Sequence, residues 1–273
     1  MAALLSALAH DQIAAGDGRR VGLLDTSAPV KSTTSAGTRR DGAPVPANEL
    51  RLLHGFQLRR ENVAVAVPTN VQRLLAFLAL RSRPQHRTTT ACCLWADTTD
   101  ERAAANMRTA LWRTRRIDPD LIMVWGSYIQ IGSDVRVDLH EMLEVARRLD
   151  SMGAMECDIA PDQFVDDLLP EWYDDWVLLE RERLRQLRLH SLEALCGRLT
   201  KAGRYGPAIN AGLAAVACEP LRESAQRVLI EAHIAEGNVS EAVRQYDSYR
   251  ALLRESLRIE PSASLRHLLL PCR

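Results

Sequence analysis

Lysine is almost missing from this chain: of 35 basic residues only Lys31 and Lys201 are not arginine. A bias of that kind marks a GC-rich genome as readily as a selection for guanidinium chemistry. The six cysteines (Cys92, Cys93, Cys157, Cys196, Cys218 and Cys272) include no C-x-x-C and have no histidine at zinc spacing, which argues against a metal centre. Most lie inside apolar helical patterns, where a thiol acts as a small hydrophobe; as reduced thiols they suit a cytosolic protein. No apolar run reaches the ~18 residues of a membrane span, and Met1–Ala15 lacks the basic start of a signal peptide. No G-x-x-x-x-G-K-[ST] loop is present to cradle phosphates. Ser/His/Asp, Cys/His and paired-carboxylate arrangements are also missing, so catalysis, a cofactor and a membrane partner are all unexpected, and the expected location is cytoplasmic.

What the chain does have is length and an uneven charge. Its 273 residues, 47% of them apolar, suffice for two domains. Residues 49–136 carry 13 Arg against 8 Asp/Glu, whereas residues 137–273 carry 17 Arg/Lys against 23 Asp/Glu. A basic segment joined to an acidic one suits a nucleic-acid binder with a separate protein-facing part.

Residues 1–48, rich in Ala, Gly, Ser, Thr and Asp, are expected to form a disordered leader; an over-called start codon would look the same. Leu50–Leu58 and Asn62–Val67 then read as strands around the turn Arg59-Arg-Glu61. Thr69-Asn-Val-Gln72 reads as a capping box opening a helix through Leu74, Leu75, Leu78 and Ala79, and Thr89–Trp95 as a second short helix. A third is expected just after Thr98, capped by Thr98 and Glu101. Its inner face would hold Ala103, Ala104, Met107, Ala110, Leu111 and Thr114; its outer arc is basic. Leu121–Trp125 and Tyr128–Ile131 read as a hairpin turned at Gly126-Ser127. Strands, three helices and a hairpin in that order make a winged helix-turn-helix, which places its third helix in the major groove.

Beyond Val137 the pattern is helical: an amphipathic run over Leu139–Leu149, a break over Asp150–Asp162, then a long helix expected from Trp172 to Lys201. Within it, Arg181-Glu-Arg183 reads as a solvated, salt-bridged face. Gly203 and Gly237 are 34 residues apart, as are Ala208 and Ala242, which is the tetratricopeptide period. The expected fold class is therefore mainly α with a small β component: a winged helix over 49–136 and a tetratricopeptide-like helical domain over 137–273.

Several stretches resemble a known family. Leu52-Leu-His-Gly-Phe-Gln-Leu58, Gln72-Arg-Leu-Leu-Ala-Phe-Leu-Ala79, Leu94-Trp95 and Ala104-Ala-Asn-Met-Arg-Thr-Ala-Leu-Trp-Arg113 resemble the DNA-binding half of SARP/AfsR-type regulators. Val137-Asp-Leu139, Asp167-Leu-Leu-Pro-Glu-Trp-Tyr-Asp-Asp-Trp-Val177 and Glu180-Arg-Glu-Arg-Leu-Arg185 resemble the bacterial transcriptional activator domain (BTAD) that follows it, as do Glu236-Gly-Asn238 and Pro261-Ser262. The resemblance spans roughly residues 49–270. It departs at Thr88-Thr-Thr90 and Cys92-Cys93, where charged residues or leucine are expected, and in having no P-loop of the long regulators.

This resemblance implies a sequence-specific activator of transcription, typically of a biosynthetic gene cluster, whose partners are double-stranded promoter DNA and RNA polymerase. If two copies act together on one face of the duplex, their sites are expected about one helical turn (~10–10.5 bp) or a multiple apart. On the helical wheel Arg102, Asn106, Thr109 and Arg113 are placed for base edges, and Arg108, Arg115 and Arg116 for phosphates. Ser127 and Tyr128, at the wing tip, are placed for the backbone or the minor groove, with packing under the hairpin the equal alternative for Tyr128. Ala96, Asp97, Thr98, Thr99 and Asp100 form the loop that meets polymerase in activators of this class. Trp172, Tyr173 and Trp176 are expected to lock the two domains together, and Trp112 to pack against the wing or the second domain, a wedge into DNA being the alternative. A different function, that of a helical scaffold or anti-activator binding protein and not DNA, would lack salt-sensitive DNA affinity.

Overall fold

The computed structural model describes residues 48–151, 159–164 and 166–269. The leader expected before Asn48, Cys157, Cys272 and most of the break expected at Asp150–Asp162 lie outside them.

The first strand, β1 (Asn48–Arg51), pairs antiparallel with β2 (Gln57–Arg60), and β2 with β3 (Val63–Val65). The single strand expected over Leu50–Leu58 is thus two. His54 and Gly55, at φ 70° and 145°, leave the β region and turn the chain between them. Helix α1 (Thr69–Ala79) follows, and its expected capping box does not form. Pro68 takes the N-cap, so Thr69 falls inside the first turn, and Gln72 Nε2 donates instead to the Val67 carbonyl at 2.7 Å. Every residue from Leu74 to Ala79 is buried, which makes α1 the centre of this half.

Next come β4 (Gln85–His86), α2 (Arg87–Leu94), α3 (Asp100–Ile117), a single 3-10 turn (Pro119–Leu121), β5 (Ile122–Trp125) and β6 (Tyr128–Ile131). Strand β4 pairs with β6, so the wing is a three-stranded sheet, β4-β6-β5. With α1, α2 and α3 it completes a winged helix-turn-helix. β7 (Val135–Val137) then returns the chain to the first sheet, parallel to β1, in the order β3-β2-β1-β7.

Helix α4 (Asp138–Ser151) begins at the very next residue. The Asp138 carboxylate accepts the N–H groups of Leu52 and Leu53 at 3.0 Å and of Leu139 at 2.7 Å, fixing the helix start to the strand end. The helical half continues through α5 (Asp175–Lys201), α6 (Tyr205–Cys218), α7 (Glu223–Glu236), α8 (Val239–Leu257) and the short α9 (Ala263–His267). Helices α5 and α6, then α7 and α8, are the two pairs of the 34-residue repeat. Gly203 and Gly237 follow the first helix of each pair with left-handed φ of 72° and 90°, where glycine carries no Cβ penalty.

The long helix starts at Asp175, three residues later than expected, because the preceding segment is coiled around an arginine. Arg181 is half-buried, and its guanidinium donates to the carbonyls of Leu168 (2.8 Å), Leu169 and Trp172 (2.9 Å). It satisfies buried backbone and is not part of a solvated face. One apolar core runs from the first sheet through α1 and α3 into α5, joining Leu50, Leu74, Phe77, Met107, Phe164, Val177 and Leu184. Among the described residues no helix is long and apolar enough to cross a membrane.

Candidate nucleic-acid interface

Helix α3 is held at both ends. Its N-cap is Thr99, one residue after the expected Thr98, and the Thr99 hydroxyl accepts the Arg102 N–H at 3.4 Å. Thr98 is already engaged, its own hydroxyl donating to the Trp95 carbonyl at 2.9 Å. Asp100 and Glu101 sit in the first turn and Arg115 and Arg116 in the last, each favourable for the helix dipole. At the far end Asp118 accepts from Asn48 Nδ2 (3.2 Å) and Asp120 N (2.8 Å) and lies 3.6 Å from Arg60 Nε, while Arg60 also donates to the Ile117 carbonyl. The C-terminus of α3 is thereby tied to β1 and β2.

Ala103, Met107, Ala110 and Thr114 are buried, with Ala104 and Leu111 half-buried, as the expected inner face requires. Arg102, Arg108, Thr109, Arg113, Arg115 and Arg116 are exposed and Asn106 is half-buried; Arg102, Asn106, Thr109, Arg113 and Arg116 lie opposite the inner face, with Arg108 and Arg115 on its flanks. Arg102, Asn106, Arg108 and Arg115 make no side-chain hydrogen bond or ion pair among the described residues. Arg113 is steadied by Asn70 of α1, whose Oδ1 accepts from it at 3.2 Å. The Thr109 hydroxyl donates back to the Ala105 carbonyl at 3.0 Å, which leaves its methyl as the free group. Elsewhere, by contrast, exposed Arg147, Arg183, Arg244 and Arg254 lie against Glu144, Glu180, Glu241 and Glu260.

At the wing tip Gly126 takes a left-handed φ of 57°, and Ser127 and Tyr128 are exposed. The Ser127 carbonyl accepts the Arg87 N–H at 2.8 Å, which ties the tip to the first residue of α2. Tyr128 stands edge-on to His86 at 5.5 Å between ring centres, and with Trp125, Arg83, Pro84 and Gln85 it lines a groove of about 440 Å³. Sequence reading missed Arg83, His86 and Trp125 as members of this surface, because they come together only through β4, a strand too short to show alternation. Pro84 ahead of it, fitting an edge strand, was the available signal. Ala96, Asp97, Thr98, Thr99 and Asp100 are all exposed. On α2, Cys92 and Cys93 are exposed too, and partial burial pushes the Cys93 thiol up.

Of the four aromatic residues expected between the two halves, two lie there. Trp172 stacks on Phe56 at 6.1 Å, Trp176 meets Phe77 edge-on at 5.3 Å, and the two tryptophans stand perpendicular at 6.2 Å. Arg81 pairs with Glu180 at 2.6 Å and Arg73 with Asp174 beside them. Tyr173 is 79% exposed and points away from that cluster. Trp112 is 58% exposed, with the Arg116 guanidinium 5.0 Å from its ring centre, so more than half of its surface stays open to solvent.

Residues 138–270 match the family model of the bacterial transcriptional activator domain. No curated protein matches the chain. Among solved structures, that of Mycobacterium tuberculosis EmbR in complex with a low affinity phosphopeptide is similar in fold, with a TM-score of 0.67 at 19% identity. The match covers 81% of this chain and 64% of the EmbR chain, so this chain spans less than two thirds of that protein's length.

Proposed function

From a chain that carries a bacterial transcriptional activator domain behind a winged helix, the organisation of the SARP/AfsR-type regulators, we propose a sequence-specific DNA-binding activator that recruits RNA polymerase to a pathway gene cluster in the cytoplasm. In this reading residues 49–136 bind the operator and residues 137–273 form the activating half. Arg102, Asn106, Thr109 and Arg113 read base edges; Arg108, Arg115 and Arg116 hold phosphates; Ser127 and Tyr128 touch the neighbouring backbone. The loop Ala96–Asp100 faces polymerase, and two copies bind one face of the duplex.

The observation that carries the proposal is the unmatched basic side of α3. Four of its polar side chains have no partner among the described residues, whereas several exposed arginines of the helical half, Arg147, Arg183, Arg244 and Arg254, sit against glutamates. Unpaired guanidinia held on a rigid helix suit a polyanion.

The test is a titration of labelled promoter fragments at several salt concentrations. Arg115→Ala is expected to weaken binding to every sequence alike and to flatten the plot of log affinity against log salt by about one unit. Arg113→Ala is expected to cost ~1–3 kcal/mol at one cognate base pair and to relax preference there. If the wild-type chain binds no fragment better than random DNA, the scaffold reading replaces this one; exposed Tyr173, just before α5, and Leu178 and Leu179 in its first turns favour a protein partner for the helical half in either case.

A further inference from the structure

Trp112 is left 58% exposed on a helix whose inner face is well packed. On the wheel it has Arg108 one turn before it and Arg115 and Arg116 one turn after. We infer that Trp112 is a specificity residue of the DNA site: its indole covers the C5 methyl group of one thymine in the major groove, held in place by the Arg116 guanidinium stacked on its other face. The inference rests on the proposal that α3 reads DNA and adds to it a residue that contacts a base through apolar surface.

Three features of the site select this occupant. The flanking Arg108 and Arg115 have no partner among the described residues, so an apolar protein surface closing over the ring would bury their charges uncompensated, at high cost; a phosphate backbone compensates them. The Arg116 guanidinium, 5.0 Å from the ring centre, already occupies one face of the indole. A wedge inserted between two base pairs needs both faces bare, so intercalation does not fit. What remains is one free face and an edge with a single N–H donor. On the floor of the major groove the apolar group that such a surface can meet is the thymine methyl. The stack also restricts the rotamers of both long side chains before binding, which lowers the entropy lost on docking.

The experiment uses the full chain and duplexes that it selects from a random-sequence pool. Each thymine is replaced singly by deoxyuridine, which removes the methyl group and nothing else. At one position per bound copy the wild-type chain should bind about fourfold more weakly, the change that one buried methyl group corresponds to. Trp112→Ala should lose that sensitivity and bind thymine and deoxyuridine duplexes alike, with its salt dependence unchanged because no charge is removed. Arg116→Gln, which withdraws the guanidinium from the ring but keeps a polar side chain on the helix, should blunt the same discrimination. The deoxyuridine series on the unaltered chain is informative even if a variant folds poorly. The inference is overturned if no substitution costs the wild type anything, or if Trp112→Ala discriminates as well as wild type, which would assign the methyl to another residue such as Thr109. A wild-type chain that selects sequences yet ignores the methyl overturns this inference alone; one that selects no sequence overturns the DNA-binding proposal with it.

Discussion

At Asp138 two opposed effects meet. Burial raises its pKa, and the amides of Leu52, Leu53 and Leu139 pull it back without cancelling the rise. Since the folded-state value is raised, the native chain holds this proton over a range of pH in which the unfolded chain has released it. Its contribution to stability is therefore fully present below the unfolded value and is lost as pH climbs through the folded one. Glu182 behaves in the opposite sense. Hydrogen bonds from Arg185 and Gln186 hold its carboxyl at about 2, so its contribution, small for so exposed a group, is lost as pH falls. Asp138→Asn removes the titration and leaves one acceptor oxygen for three amides. The variant is expected to melt below wild type throughout, with a gap that widens from neutrality towards the ordinary carboxylate range. Thermal unfolding over a pH series checks this; a constant gap would show that the carboxyl does not titrate there. Nothing in the sequence could announce this role, because the Leu52 and Leu53 amides lie far upstream of Asp138. Arg181 is silent in sequence for a different reason: an arginine between two charged neighbours looks solvated until the nearby coil of Leu168, Leu169 and Trp172 turns its carbonyls towards it.

Single helices were far more legible. The inner face of α3 follows directly from the spacing of Ala103, Met107 and Ala110, and the hairpin from Gly126-Ser127. The cap of α3 slid by one residue because two threonines in a row offer equal hydroxyls and only the Trp95 carbonyl decides between them. The repeat showed itself through Gly203 and Gly237, which mark helix ends, and through Ala208, which is fully buried. The reason for Gly212, at the same repeat position as Tyr246, appears only in the packing. A Cβ there would lie 3.1 Å from Cβ and Cδ1 of Leu229 and 3.2 Å from its Cα, so α6 and α7 cross at backbone distance. Gly212→Ala is expected to lower the midpoint of urea unfolding by an amount equivalent to ~1–3 kcal/mol, the usual cost of overpacking, even though alanine is the better helix former. A variant as stable as wild type would show that the crossing can relax. What stayed hidden at this scale, β4 and the pairing of β7 with β1, consists of two- and three-residue strands, too short to carry a period.

Taken whole, the two halves share one core, with Trp172 and Trp176 set against Phe56 and Phe77 and flanked by the Arg73 and Arg81 ion pairs. Trp172→Ala combined with Trp176→Ala removes side chains each typically worth ~3–5 kcal/mol when buried. Wild type is expected to unfold in a single calorimetric transition, and the double variant to split into two or to lose soluble expression. One transition at an unchanged temperature would mean that the halves are joined by something else. The return of β7 to the side of β1 carries a further consequence. The chain leaves the wing, enters the first sheet and starts α4 at the next residue, so there is no slack between the winged helix and the helical half. If the proposed function holds, an asymmetric operator would act as an arrow. Which way it points along the duplex would decide which way the helical half leans, and inverting the operator would turn that half to face upstream.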